Sequence, residues 1–204
     1  MGDPNTEANV DTLIRGDNGD LEPYDLNSTA FVEWYKEDVG VFDDASVILL
    51  GVGGVGEPIA KKIALEKPRS MTLVDLADKT EFAAQLAREN TVDVRFEPLL
   101  KKIIEQGLPA NAVVINAAGK EGAKDESELS RLIKKGAAGG VFVDIRPHLD
   151  IAIVEEAKQF GWNAYTGHGM NARNDYVLLQ GIARQTKVVP PSFERFEQLV
   201  AAAS

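Results

Sequence analysis

The chain contains no cysteine among its 204 residues, which excludes disulfides, thiolate chemistry and cysteine-ligated zinc. The sequence also lacks a secretory signal pattern and any apolar run of about 18 residues, so we expect a chain that neither spans a membrane nor is exported. A cytoplasmic location is the simplest expectation. A length of 204 residues suffices for one domain with a full core.

Basic residues are scarce at the start of the chain. Residues 1–45 hold 12 acidic and 2 basic side chains, which accounts for the whole net charge of −10, whereas residues 46–204 hold 20 of each sign. This acidic segment would repel nucleic-acid phosphates, so no nucleic-acid partner is expected. A solvated surface is the simpler interpretation of the segment, and docking on a partner is the alternative.

A glycine-rich run follows the first long apolar segment. Residues 46–50 predict a buried strand, and residues 51–56 read Gly-Val-Gly-Gly-Val-Gly before a helix expected at about 55–66. The pattern G-x-G-x-x-G between a strand and a helix is typical of a pyrophosphate-binding turn.

Each glycine of this run has an expected role. Gly51 permits the tight turn, Gly53 lets the backbone approach the phosphates, and Gly56 lets the helix pack close to the strand. The helix N-terminus adds N–H groups and a positive dipole end, so Gly54 and Val55 are also predicted to contact the cofactor.

Asp75 ends the next predicted strand, residues 71–75, and lies 24 residues after Gly51. A carboxylate at this place accepts hydrogen bonds from the ribose hydroxyls of adenosine and repels a 2′-phosphate. The pattern therefore favours NAD over NADP as the cofactor. The alternative is that Asp75 merely caps the following turn.

Strand and helix patterns alternate from residue 46 onwards. Six strands separated by helices predict an α/β fold, a Rossmann-like doubly wound parallel sheet in three layers with strand order 3-2-1-4-5-6. Ligands would bind outside the carboxyl ends of the strands, between strands one and four. We divide the chain into an acidic segment (1–45) with short strands and one helix, a dinucleotide-binding domain (46–186) and a C-terminal helix (187–204).

Two helix starts bear on the candidate site. A helix is expected over residues 28–39, with Asn27 or Ser28 as its N-cap. The last long helix is expected over residues 171–185, preceded by a loop at residues 167–170.

Five motifs occur in order along residues 11–186. They are Asp11-Thr12 with Gly19-x-Leu21 and Pro23-Tyr24-Asp25-Leu26-Asn27, then Gly51–Gly56, Val114-Ile115-Asn116-Ala117-Ala118, Val143-Asp144, and Gly167-His168-Gly169-Met170. Together they resemble the N-T…G-x-L-x-G-Y-N-T-D, G-A-G-G-A-G, V-I-N-A-T, D-x-x-Y and G-L-G-M motifs of the shikimate/quinate dehydrogenases, specifically their C-terminal cofactor domain.

The resemblance implies further contacts to the nicotinamide end of the cofactor. The implied residues are Asn116, Ala117, Ala118, Gly167, Gly169 and Met170. Simple structural explanations stand beside this one. Small residues after the fourth strand ease packing, Gly167 and Gly169 suit a turn with positive φ, and Met170 suits a core.

The resemblance breaks at the substrate side. The family's catalytic aspartate falls on Asn27, its substrate-binding asparagine on Asp11, its substrate glutamine on Asn174 and its tyrosine after the fifth strand near Arg146. The family's substrate domain, which carries a catalytic lysine, has no counterpart upstream of Asp11. Turnover of shikimate by this chain alone is therefore not expected, and a partner subunit, a second copy or a longer protein would supply that domain.

Several side chains at the carboxyl edge of the sheet could support hydride transfer to or from a small acid. His168 or Lys120, and less directly His148, could relay the proton. Arg146 or Arg173 could hold an anionic group of the substrate, with Asn27 and Asn174 as further substrate contacts.

Simpler structural roles are the alternative for these side chains. In that case His168 and Lys120 are ordinary loop residues, Asn27 is a helix cap, and Arg173 pairs with Asp175 or Asp144. No metal site is predicted.

Three functions are compatible with these patterns. The first is an NAD-dependent oxidoreductase of the shikimate dehydrogenase-like group that acts on a small hydroxy or keto acid. The second is a non-catalytic dinucleotide-binding sensor or regulatory module, and the third, least favoured, is an ATP-dependent adenylating enzyme. The apolar side of the last helix also allows a homodimer.

Overall fold

The computed structural model describes residues 10–16, 18–118, 126–136, 139–148 and 151–203. The strands are β1 (Thr12–Arg15), β2 (Leu21–Tyr24), β3 (Ser46–Leu50), β4 (Ser70–Val74), β5 (Asp93–Phe96), β6 (Ala112–Asn116), β7 (Val141–Asp144) and β8 (Asn163–Thr166). The helices are α1 (Leu26–Trp34), continued by a π-helix over Tyr35–Val39, α2 (Gly56–Leu65), α3 (Thr80–Asn90), α4 (Leu100–Gln106), α5 (Glu126–Lys135), α6 (Ala152–Gln159), α7 (His168–Thr186) and α8 (Phe193–Ala203).

Six of the strands form one parallel sheet in the order β5-β4-β3-β6-β7-β8. Counted along the chain from β3, this is the predicted order 3-2-1-4-5-6, so the Rossmann-like prediction is confirmed. Successive strands are added on one side of β3 as far as β5 and on its other side from β6 onwards, so the strand order reverses at the parallel neighbours β3 and β6. The remaining two strands, β1 and β2, form a separate antiparallel hairpin.

Alternate residues of each strand supply two hydrophobic cores, one on each face of the sheet. Val47 and Leu49 of β3 pack into the core beneath α1, α2 and α3. Ile48 and Leu50 of the same strand pack into the core beneath α4, α5 and α6. The three predicted layers are therefore present, and the central strands β3 and β6 are almost entirely apolar because both of their faces are buried.

The helix of the acidic segment is part of the first core. Phe31, Trp34, Tyr35 and Phe42 are buried there, and the rings of Tyr35 and Phe42 stack with their centroids 4.2 Å apart. Burial raises the pKa of the Tyr35 hydroxyl. Residues 26–45 thus cover the sheet rather than forming a layer of their own, although they hold five acidic side chains.

Two predicted helix starts are wrong. Helix α1 begins at Leu26, and its N-cap is Asp25, whose carboxylate accepts a hydrogen bond from the N–H of Ser28 at 3.3 Å. Four residues in a row, 25–28, include three of the types that cap helices, so the pattern alone selects the wrong one. Helix α7 begins at His168, so residues 168–170 form its first turn and not a loop.

Within the described residues, we find no helix with both the length and the apolar character needed to cross a membrane.

Candidate functional site

The turn between β3 and α2 is closed too tightly for side chains at two positions. Gly51 has a φ of 86°, and a Cβ built there would lie 2.6 Å from the Cα of Ala118. A Cβ on Gly56 would lie 1.9 Å from the carbonyl oxygen of Gly51. The N–H of Ala117 donates to the carbonyl of Leu50 at 2.7 Å. The glycine loop, the start of α2 and the segment after β6 therefore meet at the reversal point of the sheet, where ligands bind in this class of fold.

The middle of the same loop is open. Apart from each glycine and its neighbours along the chain, no atom of the described residues lies within 4 Å of a Cβ built on Gly53 or on Gly54. The carbonyl of Gly53 accepts the N–H of Glu57 at 2.9 Å, so the loop runs directly into the first turn of α2, and Val55 is 38% exposed. The loop thus offers both space and a helix N-terminus to an anion.

Asp75 follows β4 and binds backbone groups on two sides. Its Oδ2 accepts the N–H of Val52 in the glycine loop at 2.6 Å, and its Oδ1 accepts the N–H of Ala77 at 2.8 Å. It therefore does cap the following turn, as the alternative interpretation held. A carboxylate has about four acceptor sites, so two remain for ribose hydroxyls.

Asp144, at the end of β7, is fully buried and is the centre of a polar network. Its Oδ2 accepts from Asn116 Nδ2 and from Arg146 Nη2, both at 2.8 Å, and its Oδ1 accepts from Arg146 Nε at 2.8 Å. A buried carboxylate needs such a paired cation. The bidentate contact fixes the plane of the guanidinium, and the Arg146 side chain as a whole is 38% exposed.

The predicted cofactor contact Asn116 has its side chain engaged inside the protein. It is 4% exposed, donates to Asp144 and accepts the N–H of Ala118 at 3.3 Å. Its amide therefore shapes the segment after β6, where Ala117 and Ala118 remain half-buried. Cofactor contact by these three residues stays a prediction.

A second polar cluster, which we call the α1 cluster, consists of Asp11, Asn27 and Asn174. The Asp11 carboxylate accepts the N–H groups of Leu26 at 3.0 Å and of Asn27 at 2.7 Å. Asn27 Oδ1 accepts from Asn174 Nδ2 at 2.7 Å. The structure thus brings together the three positions that the resemblance assigns to substrate binding and proton transfer.

Close contacts at the start of α7 explain why residues 167 and 169 are glycines. Neither Gly167 nor Gly169 has a positive φ, so the expected turn with positive φ is wrong. A Cβ on Gly167 would lie 2.0 Å from the carbonyl oxygen of Ile145, and one on Gly169 would lie 2.1 Å from Trp34 Nε1. Met170 belongs to the first core and is 7% exposed. Contact of these residues with the nicotinamide stays a prediction.

The side chains of the two histidines predicted as proton relays make no contact with a described residue that would define a role. His168 and His148 are both exposed, and the N–H of His168 donates to Thr166 Oγ1 at 3.4 Å. Lys120 lies outside the described residues. A catalytic role for these side chains stays a prediction.

Arg173 is buried and pairs with acidic residues of the π-helix. Its guanidinium contacts Glu37 and Asp38, with the Nη1 to Asp38 Oδ2 distance at 3.1 Å, and lies 5.0 Å from the ring centroid of Phe193. The pairing is thus with residues 37 and 38 and not with the two predicted acids, Asp175 and Asp144. A substrate contact by Arg173 stays a prediction.

Asp11 and Asp144 are not among the predicted site residues, although the resemblance places Asp11 at the position of the family's substrate-binding asparagine. Asp144 carries a recognisable signal, since a charged residue that ends an apolar strand is placed at the carboxyl edge of the sheet. The partners of Asp11 could not be predicted, because they are 15 and 16 residues away along the chain.

Comparison with known proteins identifies the fold. No family model and no curated protein matches the sequence. A solved shikimate dehydrogenase in complex with NADP+ aligns with a TM-score of 0.71 and 19% identity over 95% of this chain and 66% of its own.

Two further solved structures agree. Quinate dehydrogenase from Corynebacterium glutamicum in complex with NAD gives a TM-score of 0.68 and 17% identity over 95% of this chain and 67% of its own. Shikimate dehydrogenase from Aquifex aeolicus gives a TM-score of 0.66 and 21% identity over 94% of this chain and 66% of its own.

The predicted resemblance is therefore confirmed at the level of the fold. The chain spans about two thirds of the length of the structures it matches.

Proposed function

We propose that this chain binds NAD or NADP and forms the dinucleotide-binding part of an oxidoreductase that acts on a small hydroxy or keto acid. The observation that carries the proposal is the turn from Gly51 to Gly56, which lies at the reversal point between β3 and β6 with its middle glycines open to solvent. The names of the structurally similar dehydrogenases, one with NADP+ and one with NAD, support the same class of cofactor.

The residues present fit a dinucleotide. The open space beside Gly53 and Gly54 and the N-terminus of α2 suit a pyrophosphate. The free acceptor sites of Asp75 suit the adenosine ribose and favour NAD over NADP, because a carboxylate repels a 2′-phosphate. When bound, the nicotinamide supplies the hydride acceptor or donor.

The substrate side of the proposal rests on charge. The Arg146 guanidinium, oriented by the buried Asp144, is presented at the edge of the sheet where the nicotinamide end would lie, and it suits an anionic substrate group. His168 or Lys120 is the proposed proton relay. Further substrate contacts would come from a partner subunit, a second copy of the chain or another part of the same protein.

The first test is thermal unfolding in the presence of NADH, NADPH or ATP with magnesium. A ligand at 100 times its dissociation constant stabilises the native state by about 2.7 kcal/mol, which is readily measured. We expect stabilisation by NADH, weaker stabilisation by NADPH and none by ATP. Stabilisation by ATP alone would contradict the proposal and favour the adenylating alternative.

The second test is turnover with a defined panel of shikimate, quinate and lactate, each with NAD+ and NADP+. Oxidation of at least one member, followed by the absorbance of the reduced nicotinamide, would support the proposal, even though turnover of shikimate by this chain alone is not expected. Replacement of Arg146 with alanine should raise the KM for that acid and leave the affinity for NADH unchanged.

A second candidate function is a non-catalytic dinucleotide-binding sensor. The observation that favours it is Asn27, an amide whose oxygen is engaged by Asn174 and which cannot exchange a proton near neutral pH. Tight NADH binding without turnover of any panel member would support this alternative.

A further inference from the structure

We propose that a cavity at the amino edge of the sheet binds a small organic cation, specifically a short alkylammonium ion. This site lies at the opposite edge of the sheet from the glycine loop, so it goes beyond the proposed function and does not depend on it. Its basis is the position and size of the cavity, a buried tyrosine hydroxyl without a hydrogen-bond partner, and the negative charge around the opening.

The cavity, which we call the amino-edge cavity, has a volume of about 220 Å³. Its lining includes Ala45, Asn111 and Gly140, the residues that directly precede β3, β6 and β7. Because these strands are parallel, their starts share one edge of the sheet, and the glycine loop after β3 lies at the other edge. A water molecule takes up about 30 Å³ of the liquid, so the cavity has room for a molecule of several non-hydrogen atoms.

Hydrogen bonds join the two walls of the cavity. The side-chain Nδ2 of Asn111, before β6, donates to the backbone carbonyl of Asp44, before β3. The N–H of Ser46 donates to the carbonyl of Asn111 at 3.3 Å, and the N–H of Ala45 donates to the carbonyl of Phe42 at 2.9 Å. The walls are therefore held by contacts within the protein itself.

Tyr35 lines the cavity although the residue is only 1% exposed. Its ring stacks on the ring of Phe42, which fixes the side chain in the first core. Burial and the neighbouring Tyr165 raise the pKa of the Tyr35 hydroxyl, so the hydroxyl stays neutral, and it makes no hydrogen bond within the described residues. Buried polar groups are normally paired, so an unpaired hydroxyl that borders a cavity indicates a ligand.

Negative charge surrounds the opening. The exposed residues Asp43 and Asp44 are part of the lining. The π-helix ends at Val39, and Gly40 directly after it also lines the cavity. A helix C-terminus carries partial negative charge and carbonyls without intrahelical partners. Asp44 pairs with Arg69 at 3.7 Å, but both side chains are exposed, and such a pair neutralises little.

A primary ammonium ion with a short alkyl chain matches this lining. Its N–H groups can donate to the Tyr35 hydroxyl oxygen and to the carboxylate of Asp43. Its alkyl chain suits the apolar part of the lining, which includes Val41, Val113 and Val141. Val41 is 65% exposed and would be covered by such a chain. A bare metal ion fits less well, because the described residues contain no group of three or more acidic, histidine or cysteine side chains that could hold one.

The test is titration of the ¹⁵N-labelled wild-type chain with n-butylammonium chloride, followed by amide NMR shifts. The neutral n-butanol and the anionic butyrate serve as comparison probes. We expect saturable binding of n-butylammonium with a Kd of the order of 1 mM, which is usual for so small a ligand. The shifts should be confined to residues 35–45, 111–113 and 139–141, and the affinity for n-butanol should be about tenfold lower or less. Butyrate should not bind.

Two variants test the proposed contacts. Tyr35→Phe removes the hydroxyl and keeps the ring, so it should weaken n-butylammonium about fivefold or more without lowering the melting temperature, because the lost hydroxyl had no partner. Asp43→Asn removes one carboxylate charge and should weaken binding to a similar extent. Glu81→Gln, an exposed carboxylate in the first turn of α3 and outside the lining, is the matched control and should keep the wild-type Kd.

Several results would overturn the assignment of this cavity. They are the absence of saturable n-butylammonium binding, shifts centred on other residues, equal affinity for n-butanol, and a wild-type Kd in Asp43→Asn. An equal loss in Glu81→Gln would show that overall charge, rather than the cavity, attracts the cation. The exposed Asp43 keeps the test decisive if Tyr35→Phe proves less stable than wild type. The affinity for NADH should be the same in all of these variants, and failure of the wild type to bind NADH or NADPH would contradict the proposed function alone.

Discussion

The carboxylate of Asp75, at the end of β4, accepts a 2.6 Å hydrogen bond from the backbone N–H of Val52, in the glycine loop at the end of β3. The same side chain caps the turn at Ala77. The residue that is expected to discriminate between NAD and NADP therefore also holds the loop that receives the pyrophosphate. Substitutions here must be chosen so that loop shape and cofactor preference change separately.

Asp75→Asn separates the two roles. The amide oxygen still accepts from Val52, but the negative charge is removed, so a 2′-phosphate is no longer repelled. We expect the ratio of NADPH to NADH affinity to rise about tenfold, which corresponds to about 1.4 kcal/mol. Titration of each cofactor, followed by nicotinamide fluorescence, measures the ratio.

The matched control for this prediction is Asp78→Asn, three residues further along. Asp78 is exposed, and hydrogen bonds from the side chain and the backbone N–H of Thr80 lower its pKa. It does not contact the glycine loop, so the affinity ratio should stay at the wild-type value. An equal rise in both variants would mean that overall charge, rather than Asp75, decides between the cofactors.

Gly53→Ala is expected to weaken NADH binding without destabilising the fold. The added methyl group meets no described atom of the protein, and the backbone of Gly53 has no positive φ. The methyl group instead occupies the space proposed for the pyrophosphate. We expect affinity for NADH to fall at least tenfold, with the free energy of unfolding within about 0.5 kcal/mol of wild type.

Gly56→Ala is the opposite case in the same loop. Its methyl group would overlap the carbonyl oxygen of Gly51, so this variant should lose about 1–3 kcal/mol of stability in urea denaturation. For Gly53→Ala, an affinity for NADH equal to that of wild type would mean that the phosphates do not lie against Gly53.

The sheet could be predicted because its signals are local. Strands β3, β4, β6 and β7 are short apolar runs, and each is followed by a turn and a helical pattern. Their order then follows from the rules for doubly wound sheets, and the glycine loop and Asp75 are placed by strand ends alone.

The contacts that define the rest of the site are not local. Asp11 binds N–H groups at residues 26 and 27, and Arg173 pairs with Glu37, 136 residues away along the chain. Asparagine, aspartate and serine all suit the N-cap of a helix, so the sequence does not show which of several neighbouring candidates caps it. The pattern therefore placed α1 two residues late and gave Arg173 the wrong acidic partners.

Gly169→Ala tests whether Gly169 serves packing. Its methyl group would lie 2.1 Å from Trp34 Nε1, and Trp34 is buried in the first core. Overpacking of this kind costs about 1–3 kcal/mol, which urea denaturation measures. Gly54→Ala, where the methyl group meets no described atom, is the control. A G169A variant of normal stability but with weaker NADH binding would contradict the packing role and favour contact with the nicotinamide.

Glu156 should make a small contribution to stability that depends on pH. Hydrogen bonds from the Lys134 ammonium at 2.9 Å and the Ser130 hydroxyl at 2.8 Å lower the pKa of Glu156 in the folded chain. Because the folded pKa is the lower one, the contribution is present above the unfolded value of about 4.5 and is lost as the pH falls through the folded pKa. The side chain is a quarter exposed, so we expect less than about 1 kcal/mol.

The measurement is the free energy of unfolding of wild type and Glu156→Gln between pH 7 and pH 3. The difference between the two should be largest at neutral pH and should vanish at the acidic end. Glu155→Gln is the control, because the ion pair of Glu155 with Lys158 is exposed. Its free energy of unfolding should differ little from that of wild type at any pH. If the free energies of unfolding of E156Q and wild type differed by the same amount from pH 7 to pH 3, the contribution of Glu156 would not depend on its ionisation.

Arg173→Ala distinguishes a structural role from substrate binding. The arginine side chain is 10% exposed and joins α7 to the π-helix through Glu37 and Asp38 and to α8 through the ring of Phe193. Its loss leaves a buried gap between three elements, so we expect the free energy of unfolding to fall by about 1–3 kcal/mol. The free energy of unfolding of Arg173→Lys should lie between those of wild type and Arg173→Ala, since lysine keeps the charge but loses the planar contact with Phe193.

The pair E37Q/D38N is the matched control because it removes the partners and keeps the arginine. If Arg173 is structural, this double variant is also destabilised. The KM for the acid substrate is then the same in R173K and wild type. If Arg173 instead binds the substrate carboxylate, R173K and R173A raise that KM while E37Q/D38N leaves it unchanged. The contacts on three sides of Arg173 favour the first result, because its guanidinium already faces two carboxylates and an aromatic ring.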